Sequence, residues 1–217
     1  MCACLGVLAL ILLGTSVNAQ CCKEQAAKEK ADGFVVCFDG KTHDGWNGDT
    51  KGYLIEDGKL VCAPGGNIYL AKDYANFIFR FEFTVPPAGN NGVGIRCERG
   101  KDAAYYGMEV QILDNKADCY KNLQAGQYHG SIYKVVAASD RDVLKPCGEW
   151  NTEEIVADGS KIKVTVNGKV IVDADIAGME VAGHPGLHNK SGAIGFLGHG
   201  AKVQFRNIRI KDLGDKE

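Results

Sequence analysis

The chain has 217 residues, of which 45% are hydrophobic and 24% charged, enough for one well-buried core and too few for two large ones. Its 25 basic and 27 acidic residues leave a net charge of -2, and they are mixed along the chain without the basic stripe that binding nucleic-acid phosphates requires, so nucleic acid is excluded as a partner. With 28 glycines against 5 prolines, the composition suits many tight turns between strands rather than a disordered chain.

The first stretch, Leu5 to Leu13, is apolar apart from Gly6 and runs into Gly14-Thr15-Ser16 and Val17-Asn18-Ala19. This order predicts a secretory leader over residues 1–19, cut after Ala19, although Met1-Cys2-Ala3-Cys4 supplies no positive charge ahead of it. The run falls short of the roughly 20 apolar residues a bilayer span needs, so no transmembrane helix is expected in the mature chain. The expected location is the periplasm or the outside of a bacterial cell. Gln20 precedes Cys21-Cys22 where a lipoprotein would carry a small residue, which favours simple secretion. Residues 20–32 are rich in Lys, Glu, Gln and Ala and read as a solvated tether or a short helix, leaving 33–217 as the folded domain.

From Phe34 onward apolar residues recur with period two in short runs. Asp57-Gly58 divides Tyr53-Leu54-Ile55-Glu56 from Lys59-Leu60-Val61-Cys62, and Asn167-Gly168 divides Ile162 to Val166 from Lys169 to Val172. Both are hairpin signatures. About ten such strands and no capped helical stretch predict an all-β fold, a two-sheet jelly-roll sandwich in a single domain. Alternation puts Phe77, Phe79, Phe81, Phe83 and Val85 on the core face of one strand and Ile78, Arg80, Glu82 and Thr84 opposite. The next strand divides into Val93, Ile95 and Cys97 against Gly94, Arg96 and Glu98. The one after divides into Tyr106, Met108, Val110 and Ile112 against Gly107, Glu109, Gln111 and Leu113. Arg80, Glu82, Arg96, Glu109 and Gln111 are thus expected to form one charged wall if their strands are neighbours.

The densest chemical signal is Gly107-Met108-Glu109-Val110-Gln111-Ile112-Leu113-Asp114, in which a strand can hold a carboxylate rigidly above a sheet. A retaining glycosidase needs two carboxylates about 5 to 5.5 Å apart, but Gln111 occupies the alternate position beside Glu109 and Asp114 falls out of phase. His129 and His199 sit beside glycine turns with room for a ligand. His184 and His188 have i,i+4 spacing without a helix, and His43 lies in a turn beside Asp44, so these three are weak metal-ligand candidates. No Cys-x-x-Cys spacing supports a thiolate zinc site. Cys119 and Cys147 lie in loops and could pair in an oxidising compartment, whereas Cys37, Cys62 and Cys97 read as buried small hydrophobes.

Several stretches together resemble the 3-keto-disaccharide hydrolase family, whose fold is a concanavalin-like jelly roll. They are Phe38-Asp39-Gly40-Lys41-Thr42 with Gly45-Trp46, Asn90 to Arg96, Gly107 to Asp114, His129 to Tyr133, Lys145 to Asn151, Val166-Asn167-Gly168, Ser191 to Gly195 with His199-Gly200, and Phe205 to Ile210. This chain departs from the family pattern at Asn91, where Ser is frequent, and at Gly198, where Asp often precedes the late His.

The resemblance implies a hydrolase acting on a glycoside or oligosaccharide whose C3 hydroxyl has already been oxidised by a separate sugar 3-dehydrogenase. The ketone acidifies the C2 proton, so a base can remove it, the C1 oxygen can leave, and water can add back. In that scheme Arg96 binds the enolate or a hydroxyl, Glu109 or His129 is the base, and Asp114 or His199 is the acid. Gln111, Trp150, Asn91 and Lys145 position the sugar. A divalent metal is the alternative electrophile to Arg96. The competing reading is a non-catalytic carbohydrate-binding sandwich, since one fold hosts both functions. A third, conventional glycoside hydrolysis on a Glu-x-Asp-x-x-Glu strand, lacks its central acid here, where Gln111 stands.

Overall fold

The computed structural model describes residues 24–63 and 65–214. The leader expected over residues 1–19, with Cys21 and Cys22, lies outside the described residues. In the segment that ends at Val35, residues 24–31 form a short helix.

After a two-residue strand β1 (Val35–Val36), the chain forms β2 (Trp46–Gly48), β3 (Tyr53–Glu56), β4 (Lys59–Cys62), β5 (Ile68–Leu70), β6 (Phe77–Thr84), β7 (Asn90–Cys97) and β8 (Met108–Leu113). A long irregular stretch then leads to β9 (Asn151–Asp158), β10 (Lys161–Val166), β11 (Lys169–Asp175), β12 (Ala193–Leu197) and β13 (Gln204–Asp212). Two antiparallel sheets result: a large one in the order β11-β10-β9-β6-β13-β4-β3, and a smaller one in the order β2-β5-β12-β7-β8. This is the two-sheet sandwich expected from the strand pattern.

Both expected hairpins form. Asp57 and Gly58 have φ of 48° and 75° between β3 and β4, and Asn167 and Gly168 have φ of 49° and 82° between β10 and β11. Two consecutive positive φ values match the right-handed strand twist, and Asn-Gly and Asp-Gly adopt them at least cost. Asn167 also uses its side chain, which accepts from Thr152 N at 3.0 Å and donates to Val143 O at 2.8 Å.

The core lies between the sheets. Phe77, Phe79, Phe81 and Phe83 point inward from β6, as the alternation requires, and Val93, Ile95, Met108, Val110 and Ile112 face them from β7 and β8. At its centre Phe196 of β12 stacks on Phe205 of β13, with ring centroids 3.8 Å apart, and Phe81 meets both rings edge-on. Tyr106, expected inside, is instead exposed, because the chain has not yet joined β8 at that point.

The expected wall divides between the two sheets. β6 belongs to the large sheet and β7 and β8 to the small one, so Arg80 and Glu82 lie on the far outer face. There Arg80 pairs with Glu154 at 2.6 Å and Glu82 with Arg206 at 2.7 Å.

β7 also changes phase near its end. Arg96 has φ of 50°, and the pairing of β7 with β12 slips between Ala193 and Gly195, so β7 carries one extra residue there. Such a bulge reverses the faces of whatever follows it. Cys97 therefore joins Tyr69, Ala103, Ala193 and Leu197 on the outer side of the small sheet instead of the core. Cys62 is buried in the core as expected, Cys37 is half-buried, and Cys119 and Cys147 are exposed free thiols.

Phe196 bridges the sheets through its contacts with Trp46, Phe79, Phe81 and Phe205. Phe196→Ala is expected to lower unfolding free energy by about 3–5 kcal/mol, the range for emptying a buried aromatic site. Urea titration of the two proteins measures this.

Candidate active site

The outer face of the small sheet carries the site. In the β7–β8 pair, Gly92 stands opposite Gln111 and Gly94 opposite Glu109, so both long side chains rise beside positions of β7 that carry no side chain. A Cβ at Gly92 would lie 2.1 Å from Glu109 Oε1, which shows that the carboxylate leans over this glycine. Gly94 is covered in turn by Cys97, Leu197 and Ala103.

Above this floor is a cleft of about 300 Å³. Glu109 and Gln111 form its base, with Asn90 and Asn67 alongside, while Tyr105, Tyr133 and His199 form its walls. Glu109 is 4% exposed and Gln111 5%. Glu109 Oε1, Gln111 Oε1 and Asn90 Oδ1 are buried acceptors without a hydrogen-bond partner. Buried polar atoms are nearly always paired, and three unpaired ones on one cleft mark a place where a ligand's donors are needed. His199 Nε2 lies 3.8 Å from Glu109 Oε1, close enough for charge interaction and too long for a direct hydrogen bond. Asp102 stands at the mouth, where its Oδ1 accepts from Ala104 N at 3.1 Å.

The wall beyond β8 is pinned to that strand. Gly130 N donates to Gln111 O at 2.7 Å, Gln111 N donates to Ser131 O at 3.0 Å, and Tyr133 N donates to Glu109 O at 2.8 Å. The segment thus extends the sheet and holds Tyr133 next to the backbone that carries the carboxylate.

Of the residues singled out in the sequence, Glu109, Gln111 and His199 meet in the cleft. Arg96 does not, because the bulge turns its guanidinium to Ala75 O and Gly159 O, both at 2.8 Å, and to Asn76 Oδ1 at 3.2 Å. Asn91 points into the core, where its Nδ2 donates to Tyr53 OH at 3.2 Å, and its neighbour Asn90 faces the cleft instead. Asp114 accepts from Ala88 N and Lys116 N in the turn after β8. With Lys145 it borders a separate cavity of about 270 Å³. Trp150 lies against the Arg206 guanidinium at 3.8 Å, and Lys145 Nζ donates to its carbonyl.

His129 is fully buried between the sheets, stacked on Phe83 with centroids 5.3 Å apart. Its Nδ1 accepts from Leu113 N at 3.4 Å, and its Nε2 lies 3.7 Å from Glu153 Oε2. Neither Glu153 oxygen nor His129 Nε2 has a hydrogen bond. Burial drives the His129 pKa from the ordinary 6.5 down to about 3 and pushes the Glu153 carboxyl well above the usual carboxylate range, in each case favouring the neutral form.

Among the described residues no group of three or more His, Cys, Asp and Glu side chains converges on a point where a metal ion could sit. His43 Nε2 bonds Tyr53 O and His188 Nε2 bonds Met179 O, while His184 is buried against Tyr105. Glu109 and His199 are the closest such pair in the cleft, 3.8 Å apart, with Asp102 at its mouth.

Two antiparallel sheets with a buried carboxylate at the base of an outer-face cleft define an open-sided β-sandwich with a candidate ligand cleft on its smaller sheet. The chain belongs to the 3-keto-alpha-glucoside-1,2-lyase-like family, whose model matches residues 33–211. A 3-keto-disaccharide hydrolase of Bacteroides thetaiotaomicron is 26% identical over 231 aligned positions, covering 84% of this chain and 79% of that protein. Two crystal structures of glycosyl-hydrolase candidates from Parabacteroides distasonis are also similar. One has a TM-score of 0.75 at 28% identity, covering 83% of this chain and 99% of that one. The other has a TM-score of 0.74 at 27% identity, covering 86% and 97%. The resemblance drawn from the sequence motifs is thereby borne out.

The opposite shifts of the buried pair have a pH signature. A carboxyl raised in the fold contributes stability that is complete below its ordinary 4.5 and is lost as pH rises toward the folded value. His129, lowered to about 3, works in the opposite sense, its contribution being complete above 6.5 and lost as pH falls toward 3. Glu153→Gln should therefore gain on the parent protein in urea unfolding as pH goes from about 5 to about 8. A stability difference constant over that range would show that Glu153 is not held protonated.

Proposed function

We propose that this chain is an enzyme that cleaves the glycosidic bond of 3-keto-glycosides and 3-keto-disaccharides by elimination across C1 and C2, followed by hydration. The observation that carries this reading is Glu109: a carboxylate buried in an open cleft, its Oε1 unpartnered, with Gln111 rather than a second acid beside it on the strand. One rigid base suffices for proton abstraction next to a ketone, whereas double displacement requires a paired carboxylate. Family membership and the name of the Bacteroides relative support the same substrate class.

In this scheme Glu109 takes the C2 proton, and the C–H electron pair becomes the C2–C3 double bond of an enolate on the C3 oxygen. Collapse of the enolate re-forms the ketone, moves the double bond to C1–C2 and breaks the C1–O bond. His199, as the imidazolium, protonates the departing oxygen. Water then adds at C1 and passes its proton to the now neutral His199, while Glu109 returns a proton to C2, giving the 3-keto sugar. Gln111, Asn90 and Asn67 orient the sugar hydroxyls. A sugar 3-dehydrogenase would supply the substrate, and the leader expected over residues 1–19 would place the enzyme in the periplasm or outside the cell.

The test is release of a chromogenic alcohol from a 3-keto-glucoside beside the unoxidised glucoside, with and without chelator. Release only from the keto compound is expected, and Glu109→Gln should lower it at least about a hundredfold while folding is kept. Loss of release on chelation would add a divalent metal to the site. Release from neither compound, with saturable sugar binding by calorimetry, would instead make the cleft a non-catalytic binding site.

A further inference from the structure

With Arg96 turned away, the elimination scheme lacks a donor for the negative charge that builds on the C3 oxygen, and the cleft has one fixed in place. We propose that the Tyr105 phenol, backed by the Lys134 ammonium, is the group that receives that charge. The inference rests on the elimination reading and deepens it by assigning the electrophilic side of the site.

Four observations support it. Tyr105 and Tyr133 line the same cleft as Glu109. Lys134 Nζ donates to the Tyr105 oxygen at 3.2 Å. An ammonium has only donors, so this bond occupies an acceptor position of the phenol and leaves the O–H to point elsewhere. No acceptor among the described residues takes that proton by hydrogen bond. The ammonium also lies 5.7 Å from the Tyr105 ring centroid and 5.2 Å from that of Tyr133, so both rings hold it.

The third observation is the backbone under Lys134. Its φ is 58°, a left-handed conformation rare for a residue with a long side chain. It is fixed by a bond from Lys134 N to Gly126 O at 2.8 Å, and the preceding residue is fixed by the bond from Tyr133 N to Glu109 O. Backbone strain of this kind persists where surrounding contacts impose it, and it gathers at functional sites. Here the kink follows directly on Tyr133, which is bonded to the strand that holds Glu109, and the lysine beyond it reaches the Tyr105 phenol.

The fourth is the packing of Tyr105, whose ring lies on the buried His184 ring with centroids 4.9 Å apart. That contact fixes the ring plane while leaving the hydroxyl to Lys134 and the cleft. A preorganised donor of this kind acts on developing charge without reorganising during the reaction. Tyr105 would touch the reacting oxygen. Lys134 acts through it as a positioning residue, and its charge strengthens the phenol as a donor.

The step assigned to Tyr105 can be isolated from bond cleavage. A 3-keto sugar with hydrogen in place of the leaving group at C1 can only enolise, so exchange of its C2 proton in heavy water, followed by NMR, reads base and enolate donor without any leaving-group acid. The parent protein should catalyse this exchange, and His199→Ala should keep it while losing cleavage of a glycoside with a poor leaving group. Tyr105→Phe, which preserves the ring on His184, should slow exchange and cleavage alike by about a hundredfold. Lys134→Met should slow both to a smaller degree, and Lys134→Arg should recover most of the loss. Exchange by folded Tyr105→Phe at the parental rate would overturn the proposal while leaving the elimination reading intact. A parent protein that neither exchanges nor cleaves keto sugars would remove both.

Discussion

The antiparallel pairing of β7 with β8 is the constraint on which the site depends. Gly92 and Gly94 leave bare backbone opposite Gln111 and Glu109, and the carboxylate occupies the space a Cβ at Gly92 would need. The inner faces of the same strands are Val93, Ile95, Met108, Val110 and Ile112, packed against the phenylalanines of the large sheet. Glu109 is therefore held in place by the hydrophobic core beneath it, since any shift of its Cα would disturb side chains packed on the opposite face of the strand. Precision at the site comes from the sandwich, and reach comes from the loops around it.

Those loops are anchored by backbone bonds rather than by bulk. The segment from Gly130 to Tyr133 borrows the free edge of β8, which protects that edge and brings the Tyr133 wall to the cleft, with Lys134 directly after it. His129, at the start of that segment, is used differently. It is buried neutral against Phe83 and Glu153, and its backbone N–H donates to Asn115 Oδ1 at 2.8 Å. The loop is thus fastened to the core at one end and to the strand carrying Glu109 at the other.

Much of this arrangement was legible in the sequence. Asp57-Gly58 and Asn167-Gly168 marked their hairpins because only a few residues accept two positive φ angles in succession. The period-two run Phe77 to Phe83 and the strand through Glu109 and Gln111 gave their faces correctly. The same alternation, continued from Val93 and Ile95 back to Asn91, puts Asn91 in the core and Asn90 in the cleft. The bulge at Arg96 was not legible, because the slip depends on β12, a strand about a hundred positions away. Nor does local pattern show which sheet a strand joins, so Arg80 and Glu82 were grouped with residues that lie on the far side of the sandwich. Tyr105, Tyr133 and Lys134 come from irregular segments with no periodicity, and their convergence follows from tertiary hydrogen bonds alone.

The proposed elimination requires that the bond break by loss of a proton from C2 and not by displacement at C1. The most direct measurement is the position of deuterium in the first product formed when a 3-keto-glycoside is cleaved in heavy water, read by NMR before slow solution exchange intervenes. Elimination followed by hydration places solvent deuterium on C2 of the released 3-keto sugar. Full retention of protium at C2, with no absorbance of a C1–C2 enone on rapid mixing to show that Glu109 had handed back the same proton, would contradict it.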